Sequence, residues 1–269
     1  MIPTWKTAEA KMSVCINGAY VPFKNAPNSM PRFVRPALFS TGDENWELQF
    51  FGSSFLGKYR GWHFGIATAH QTNSAHGAQE ASKYVVLKEV GGKTLAIPPS
   101  NLHIPSVDEE GYSSLKDLIF FDFAEVDAPY RASHLDLTNI LWSDDTSPAD
   151  YSFLIGYPTS SAIITLNPED YSALESFTAR WVRQDLQPAN PEALDTEHRN
   201  IFIKHDRSTR LSIDPDGLSG SPAFSIVKAA NSERFIRFEG IVTNARGDRF
   251  AVYPSLYIRD MLEHIVKNS

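Results

Sequence analysis

Cysteine is almost missing from this sequence: Cys15 is the only one in 269 residues. A lone thiol cannot close an internal disulfide, so the fold has to stand without covalent cross-links. A chain built that way suits a reducing compartment, and a cytoplasmic location is the expectation. Long apolar runs are also lacking. No window reaches the roughly 18 uninterrupted apolar residues of a membrane-spanning helix. The opening stretch, Met1-Ile-Pro-Thr-Trp-Lys-Thr-Ala-Glu-Ala-Lys-Met, has no apolar segment behind a basic start, so no secretory signal is expected. Dense positive charge is scarce as well. Lysine and arginine number 25 against 32 acids, for a net charge of −7, so neither nucleic acid nor a membrane surface is an expected partner. The most basic stretch, Lys204 to Arg210, is broken by Asp206 and apolar residues, as in a solvated strand or loop. Cys-x-x-Cys and His-Glu-x-x-His spacings are absent, and no metal or cofactor is expected.

What is present is a folded composition, 42% hydrophobic and 12% aromatic, long enough for one large or two small units. Pro3, Pro22, Pro27, Pro31 and Pro36 interrupt the first 40 residues, which are expected to be irregular. From about Glu47 short apolar runs alternate with turn residues. They include Trp46–Phe51, Trp62–Thr68, Lys83–Val90, Thr94–Ile97, Asp117–Phe123, Tyr151–Ile155, Ala162–Leu166, Phe177–Val182, Ile201–His205, Ala223–Val227, Phe235–Val242 and Arg249–Tyr253. Many are rich in Val, Ile, Phe, Tyr and Thr, and such spacing predicts an all-β sandwich or barrel pair rather than βαβ units. One helix is predicted at the end, Ser255 to Lys267, with Leu256, Ile258, Met261, Leu262 and Ile265 on one stripe. Gln184–Asn200 reads as a long loop and Ser143–Asp150 as a connector between halves. The expected organisation is an irregular extension (1–45), a first unit (46–142) and a second unit with the helix (143–269).

Three segments carry chemistry. In Asp214-Pro-Asp-Gly-Leu-Ser-Gly-Ser-Pro, Gly217 and Gly220 bracket Ser219. A serine hydroxyl needs a base beside it and N–H groups converging where a carbonyl oxygen gains charge, and glycines permit so tight a turn. The bland reading is a Gly/Ser turn between strands. In Trp62-His-Phe-Gly-Ile-Ala-Thr-Ala-His-Gln, an apolar strand ends at His70 behind the small residues Ala67, Thr68 and Ala69. Imidazole is the natural base at neutral pH. The bland reading is a structural histidine, and His63 and His76 nearby raise a metal cluster as a rival. In Lys116-Asp-Leu-Ile-Phe-Phe-Asp-Phe, Asp117 opens an apolar run and could accept the imidazole N–H. Asp122 is its rival, with alternation predicting that it faces solvent.

Asp117 follows His70 by 47 residues and Ser219 follows Asp117 by 102. In this order the chain resembles the trypsin/chymotrypsin-like serine peptidases, through Thr68-Ala69-His70, Asp117-Leu118-Ile119-Phe120-Phe121 and Gly217-Leu218-Ser219-Gly220-Ser221-Pro222. Gly240-Ile241-Val242-Thr243 resembles the family's substrate-pairing strand and Ile155-Gly156-Tyr157-Pro158 its Gly-rich turn, so the likeness spans about residues 45–268. The resemblance implies two antiparallel six-stranded β-barrels with a C-terminal helix. His70 and Asp117 would come from the first barrel and Ser219 from the second. It implies peptide-bond hydrolysis through an acyl-enzyme, with His70 as base, Asp117 orienting it and Ser219 as nucleophile. It places the oxyanion hole at the N–H groups of Gly217 and Ser219, the base of the S1 pocket at Ile213, and substrate contacts at Asp214, Thr243, Asn244 and Ala245.

Leu218 departs from digestive members, which carry an aspartate there that pairs with a newly cut N-terminus. It resembles the intracellular, bacterial-type branch, and zymogen-style activation is not expected. Apolar Ile213 argues against Lys or Arg at P1 and for a small or medium uncharged side chain, with Asp214 as a counter-argument. The expected partners are a protein or peptide substrate and a regulatory protein, or residues 1–40, gating access. Two rival readings stand beside this one. A protease-like scaffold would keep the fold without the reaction. An α/β-hydrolase would need Gly-x-Ser-x-Gly between strand and helix with its histidine downstream, where only His264 lies.

Overall fold

In the computed structural model the described residues are 11–40, 48–71, 84–90, 93–104, 117–123, 134–166, 174–193, 195, 198–205, 214–229 and 233–268. The first described strands form a hairpin of β1 (Ser13–Ile16) and β2 (Ala19–Pro22). Its two-residue loop is Asn17-Gly18, with φ of 50° and 80°, and Ile16 pairs with Ala19 across it. Both central residues therefore adopt the positive φ that a tight hairpin twist requires, and Asn-Gly supplies it at little cost. A short helical turn, Ala26–Ser29, leads to the first large sheet.

That sheet contains β3 (Val34–Ser40), β4 (Leu48–Tyr59), β5 (Trp62–Thr68), β6 (Tyr84–Val90), β7 (Lys93–Ile97), β8 (Asn101–His103), β9 (Leu118–Asp122) and a short β10 (Leu135–Asp136) beside β4. The spatial order is β7-β6-β3-β4-β5-β9-β8. Only Pro98-Pro99-Ser100 separates β7 from β8. Proline has no N–H to give a ladder, so one strand is split in two at that point. Counted as one, β7 and β8 close a six-stranded antiparallel ring.

The second sheet holds β11 (Ala149–Gly156), β14 (Val182–Pro188), β15 (Asn200–Lys204), β16 (Pro222–Lys228), β17 (Arg234–Arg246) and β18 (Arg249–Pro254), while β12 (Ala162–Leu166) and β13 (Leu174–Ala179) form a separate hairpin. The order β16-β11-β14-β15-β18-β17 returns to its start because β17 also pairs with β16. Six strands thus close a second barrel, and β1 adds to β17 in parallel. The terminal helix, Ser255–Asn268, buries Ile258, Leu262 and Ile265. Its first residue is tied to the connector: Ser143 N–H donates to Ser255 Oγ at 2.9 Å and Leu256 N–H to Ser143 Oγ at 3.0 Å. Among the described residues no helix is long and apolar enough to cross a membrane.

One core joins the two barrels. Phe55 of β4 meets Phe238 of β17 at 4.9 Å between ring centroids and Phe224 of β16 at 5.7 Å. All three rings are fully buried. Each contributes about 1.5–3 kcal/mol by area alone, with a further 0.5–1.5 kcal/mol for a well-oriented aromatic pair.

Several sequence expectations are corrected. Residues 11–40 are not an irregular extension, because the hairpin joins the second sheet and β3 is a central strand of the first. Pro36 is tolerated because the β6 ladder begins only at Ala37. The predicted loop from Gln184 begins as a strand, β14. The strand predicted to end at Phe51 runs to Tyr59, through Gly-Ser-Ser. Asp122 is only 1% exposed, not solvated. The strand Leu118–Asp122 is buried on both faces, so Asp122 shares an inward face with Leu118 and Phe120.

Candidate active site

The strand β5 ends at Thr68, and the next residues turn His70 out of the sheet. Asp117 sits immediately before β9, the partner of β5. That antiparallel pairing alone brings Asp117 beside His70: Ala69 N–H donates to the Asp117 carbonyl at 2.7 Å, and His70 N–H to Asp117 Oδ1 at 3.1 Å. The same carboxylate oxygen lies 2.7 Å from His70 Nδ1. Anchored twice on one oxygen, the carboxylate favours the tautomer with hydrogen on Nδ1 and leaves Nε2 as acceptor. Nε2 is 3.1 Å from Ser219 Oγ, contributed by the other barrel. The site opens to solvent, the His70 side chain being 46% exposed.

Ser219 stands in the second of two consecutive turns. Leu218 N–H closes on the Pro215 carbonyl at 3.0 Å and Ser221 N–H on the Leu218 carbonyl at 3.0 Å. Gly217, at φ 84°, and Gly220, at φ 82°, occupy the third position of each turn, which requires the left-handed region. A Cβ on Gly220 would lie 2.0 Å from the Ser53 carbonyl oxygen, so this glycine is required by space as well as by φ.

The peptide groups around Ser219 are fixed in direction. The Asp216 carbonyl accepts from Thr159 N–H at 2.9 Å, which turns the Gly217 N–H the opposite way. The Leu218 carbonyl is held by Ser221 N–H, which fixes the Ser219 N–H likewise. Among the described residues neither N–H has an acceptor. Leu218 itself is fully buried with Leu154, Ala223 and Val242. Where the resemblance puts an acidic group, this chain has a packing residue.

Four of the five residues expected to contact substrate are among the described residues. Ile213 lies outside the described residues, as does His76. Asp214 is exposed, accepts from Asp216 N–H at 3.1 Å, and lines a cleft of about 450 Å³ with Lys204, Pro215 and Asp248. Asn244 is exposed, Ala245 half-buried and Thr243 buried. The Thr243 hydroxyl accepts from Arg199 Nε at 2.9 Å. Arg199 stacks over the Tyr253 ring at 4.5 Å, and burial pulls its pKa below the ordinary arginine value while Tyr253 and Asp117 oppose that shift. His63 packs against His134 rather than entering the site, and among the described residues no group of three or more His, Cys, Asp or Glu could hold a metal ion.

Sequence reasoning missed four contributors. Ser53 donates from Oγ to the Gly217 carbonyl at 3.2 Å and from its N–H to the Ser219 carbonyl at 3.2 Å. Gln71 Nε2 donates to the Ser219 carbonyl at 2.7 Å. Thr159 and Arg199 act as described above. Only Gln71 carried a signal, its place directly after His70. Ser53 reaches the turn from the first barrel, whereas Thr159 and Arg199 make their contacts within the second.

The chain is similar in structure to the scabies mite inactivated protease paralogue S-I1, with a TM-score of 0.52 and 11% sequence identity, over 91% of this chain and 98% of that one. No protein-family model matches the sequence, and no curated protein does. At that identity the likeness is one of fold: a chymotrypsin-like pair of barrels with a C-terminal helix.

Proposed function

We propose that the chain is a serine endopeptidase. The observation that carries this reading is the line of contacts from Asp117 Oδ1 to His70 Nδ1 at 2.7 Å and from His70 Nε2 to Ser219 Oγ at 3.1 Å. Ser219 Oγ attacks the carbonyl carbon of a peptide bond, and its proton passes to His70 Nε2. The oxyanion forms beside the N–H groups of Gly217 and Ser219. The C–N bond then breaks as His70 returns the proton to the departing nitrogen, leaving an ester on Ser219. Water attacks that ester with His70 again as base, releasing the acid and restoring the Ser219 hydroxyl. Asp117 stays ionised and stabilises the imidazolium. The substrate is a protein or peptide with an uncharged P1 side chain, and narrow specificity or a regulatory protein limits the activity.

A second reading is a catalytically silent scaffold, favoured by one observation: the similar structure is, by its own description, an inactivated protease paralogue. Fluorophosphonate labelling separates the two. An active enzyme is labelled at Ser219 and loses the label in Ser219→Ala and His70→Ala. A folded protein that takes no label refutes the peptidase reading.

A further inference from the structure

The proton-transfer contact between His70 and Ser219 spans two barrels, so something must fix the distance between them. We propose that Gln71 is a positioning residue that sets it, an inference that rests on the peptidase reading. Gln71 follows His70 directly, and its Nε2 donates across the barrel boundary to the carbonyl of Ser219 at 2.7 Å. Base and nucleophile are thus joined through the side chain of the base's own neighbour. The orientation of the amide is determined at its other end, because Oε1 accepts from Thr68 N–H at 3.3 Å, the last residue of β5. A reversed amide would lose both bonds.

The surroundings are shaped to the amide. A Cβ on Gly52 would lie 2.0 Å from Gln71 Nε2, and one on Gly220 would lie 3.3 Å from Gln71 Oε1. Gly52 has φ 136°, a conformation that side-chain-bearing residues rarely adopt. The space that a side chain at residue 52 would enter is therefore taken first by the Gln71 amide, with the Gly217 carbonyl oxygen next at 3.0 Å. Ser53 N–H shares the Ser219 carbonyl at 3.2 Å, so that oxygen accepts two donors from the first barrel. The peptide bearing it is fixed at its far end too, where Gly220 N–H donates to the Val242 carbonyl at 2.9 Å. Without Gln71 the turn keeps its internal bonds and loses the shorter of the two hydrogen bonds that the first barrel gives to the Ser219 carbonyl. A displacement of about 1 Å between reacting groups costs on the order of 10²-fold in rate.

The test uses Gln71→Met, which keeps length and removes both hydrogen bonds, and Gln71→Glu, which keeps the acceptor for Thr68 and sets an oxygen against the Ser219 carbonyl. Saturation kinetics with a fluorophosphonate separate the maximal inactivation rate from the half-saturating concentration. Gln71→Met is expected to lower the maximal rate about 10- to 100-fold with half-saturation unchanged, and Gln71→Glu to lower it at least as far. Because methionine adds no charge, the acid limb of the pH–rate profile keeps its midpoint in Gln71→Met. Near-wild-type melting temperatures establish that the variants fold, and either folded variant suffices. A maximal rate within threefold of wild type overturns the inference. Histidine-selective ¹⁵N NMR reads the same geometry without turnover: the His70 Nε2 resonance is expected to move in Gln71→Met as it does in Ser219→Ala. An unmoved resonance overturns the positioning role. A moved resonance in a wild-type protein that takes no label instead overturns the peptidase reading and leaves the positioning role standing.

Discussion

Ser53 and Ser54 are adjacent, identical and both fully buried, yet truncating them should have opposite effects. The Ser53 hydroxyl is saturated. It donates to the Gly217 carbonyl at 3.2 Å and accepts from Tyr157 N–H at 2.8 Å and from Ser221 Oγ at 3.1 Å. One donor and two acceptor sites are all that a hydroxyl has. Ser53→Ala takes this partner from three buried groups at once. Each group deprived of its partner costs about 1–3 kcal/mol, and because the Ser221 hydroxyl can turn elsewhere the total is about 2–5 kcal/mol. Ser54 Oγ has no hydrogen-bond partner among the described residues. Ser54→Ala removes a desolvated hydroxyl that gains nothing, so it should be neutral or stabilising by up to about 1 kcal/mol. Urea unfolding measures both. For Ser53→Ala the midpoint should fall at unchanged m, and the melting temperature should drop by roughly 4–20 °C at about 2–4 °C per kcal/mol. A loss below about 0.5 kcal/mol for Ser53→Ala, or an equal loss for both variants, would refute the hydrogen-bond reasoning and leave packing as the explanation.

Two further perturbations follow from buried polar groups. Ser152 and Ser225 face each other across β11 and β16, with their hydroxyls 2.7 Å apart and buried. Either alanine substitution should cost about 1–3 kcal/mol and the double substitution less than the sum, giving a coupling of about 0.5–1.5 kcal/mol in a double-mutant cycle; strict additivity would show that the pair does not interact. Tyr59 donates to Glu263 on the terminal helix at 3.0 Å, and burial first, then this bond, raises its pKa above 10.0. A phenol whose folded pKa exceeds its unfolded one contributes stability in full below pH 10 and loses it as pH rises through the folded value. Tyr151, raised by burial and by its bond to Asp185, adds to the same alkaline loss. Tyr59→Phe should therefore be less stable at pH 7 and fall less steeply above pH 10; unfolding curves parallel to wild type from pH 7 to 11 would contradict this.

The sequence alone determined the all-β class, the terminal helix and the order of His70, Asp117 and Ser219. Those features are local: alternating apolar runs, a helical stripe, and glycines that must flank Ser219 because both adopt positive φ. Asn17-Gly18 carries a hairpin signal that the reading of the first 40 residues as irregular passed over, because five prolines outweighed it there and masked the central strand β3. Asp122 was misjudged because alternation predicts one solvated face, whereas a strand packed on both sides has none. What only the tertiary structure decided is how the barrels meet. Ser53 looks like part of a Gly-Ser-Ser turn and lies instead within a twelve-residue strand, reaching a segment 164 positions away. Gln71 has no chemistry in sequence until the Ser219 carbonyl is placed 2.7 Å from its amide. Thr159 and Arg199 reach their partners, Asp216 and Thr243, between distant segments of the second barrel. Hydrogen bonds between distant segments leave no periodicity in a chain, because either partner is an ordinary polar residue until folding removes water from both.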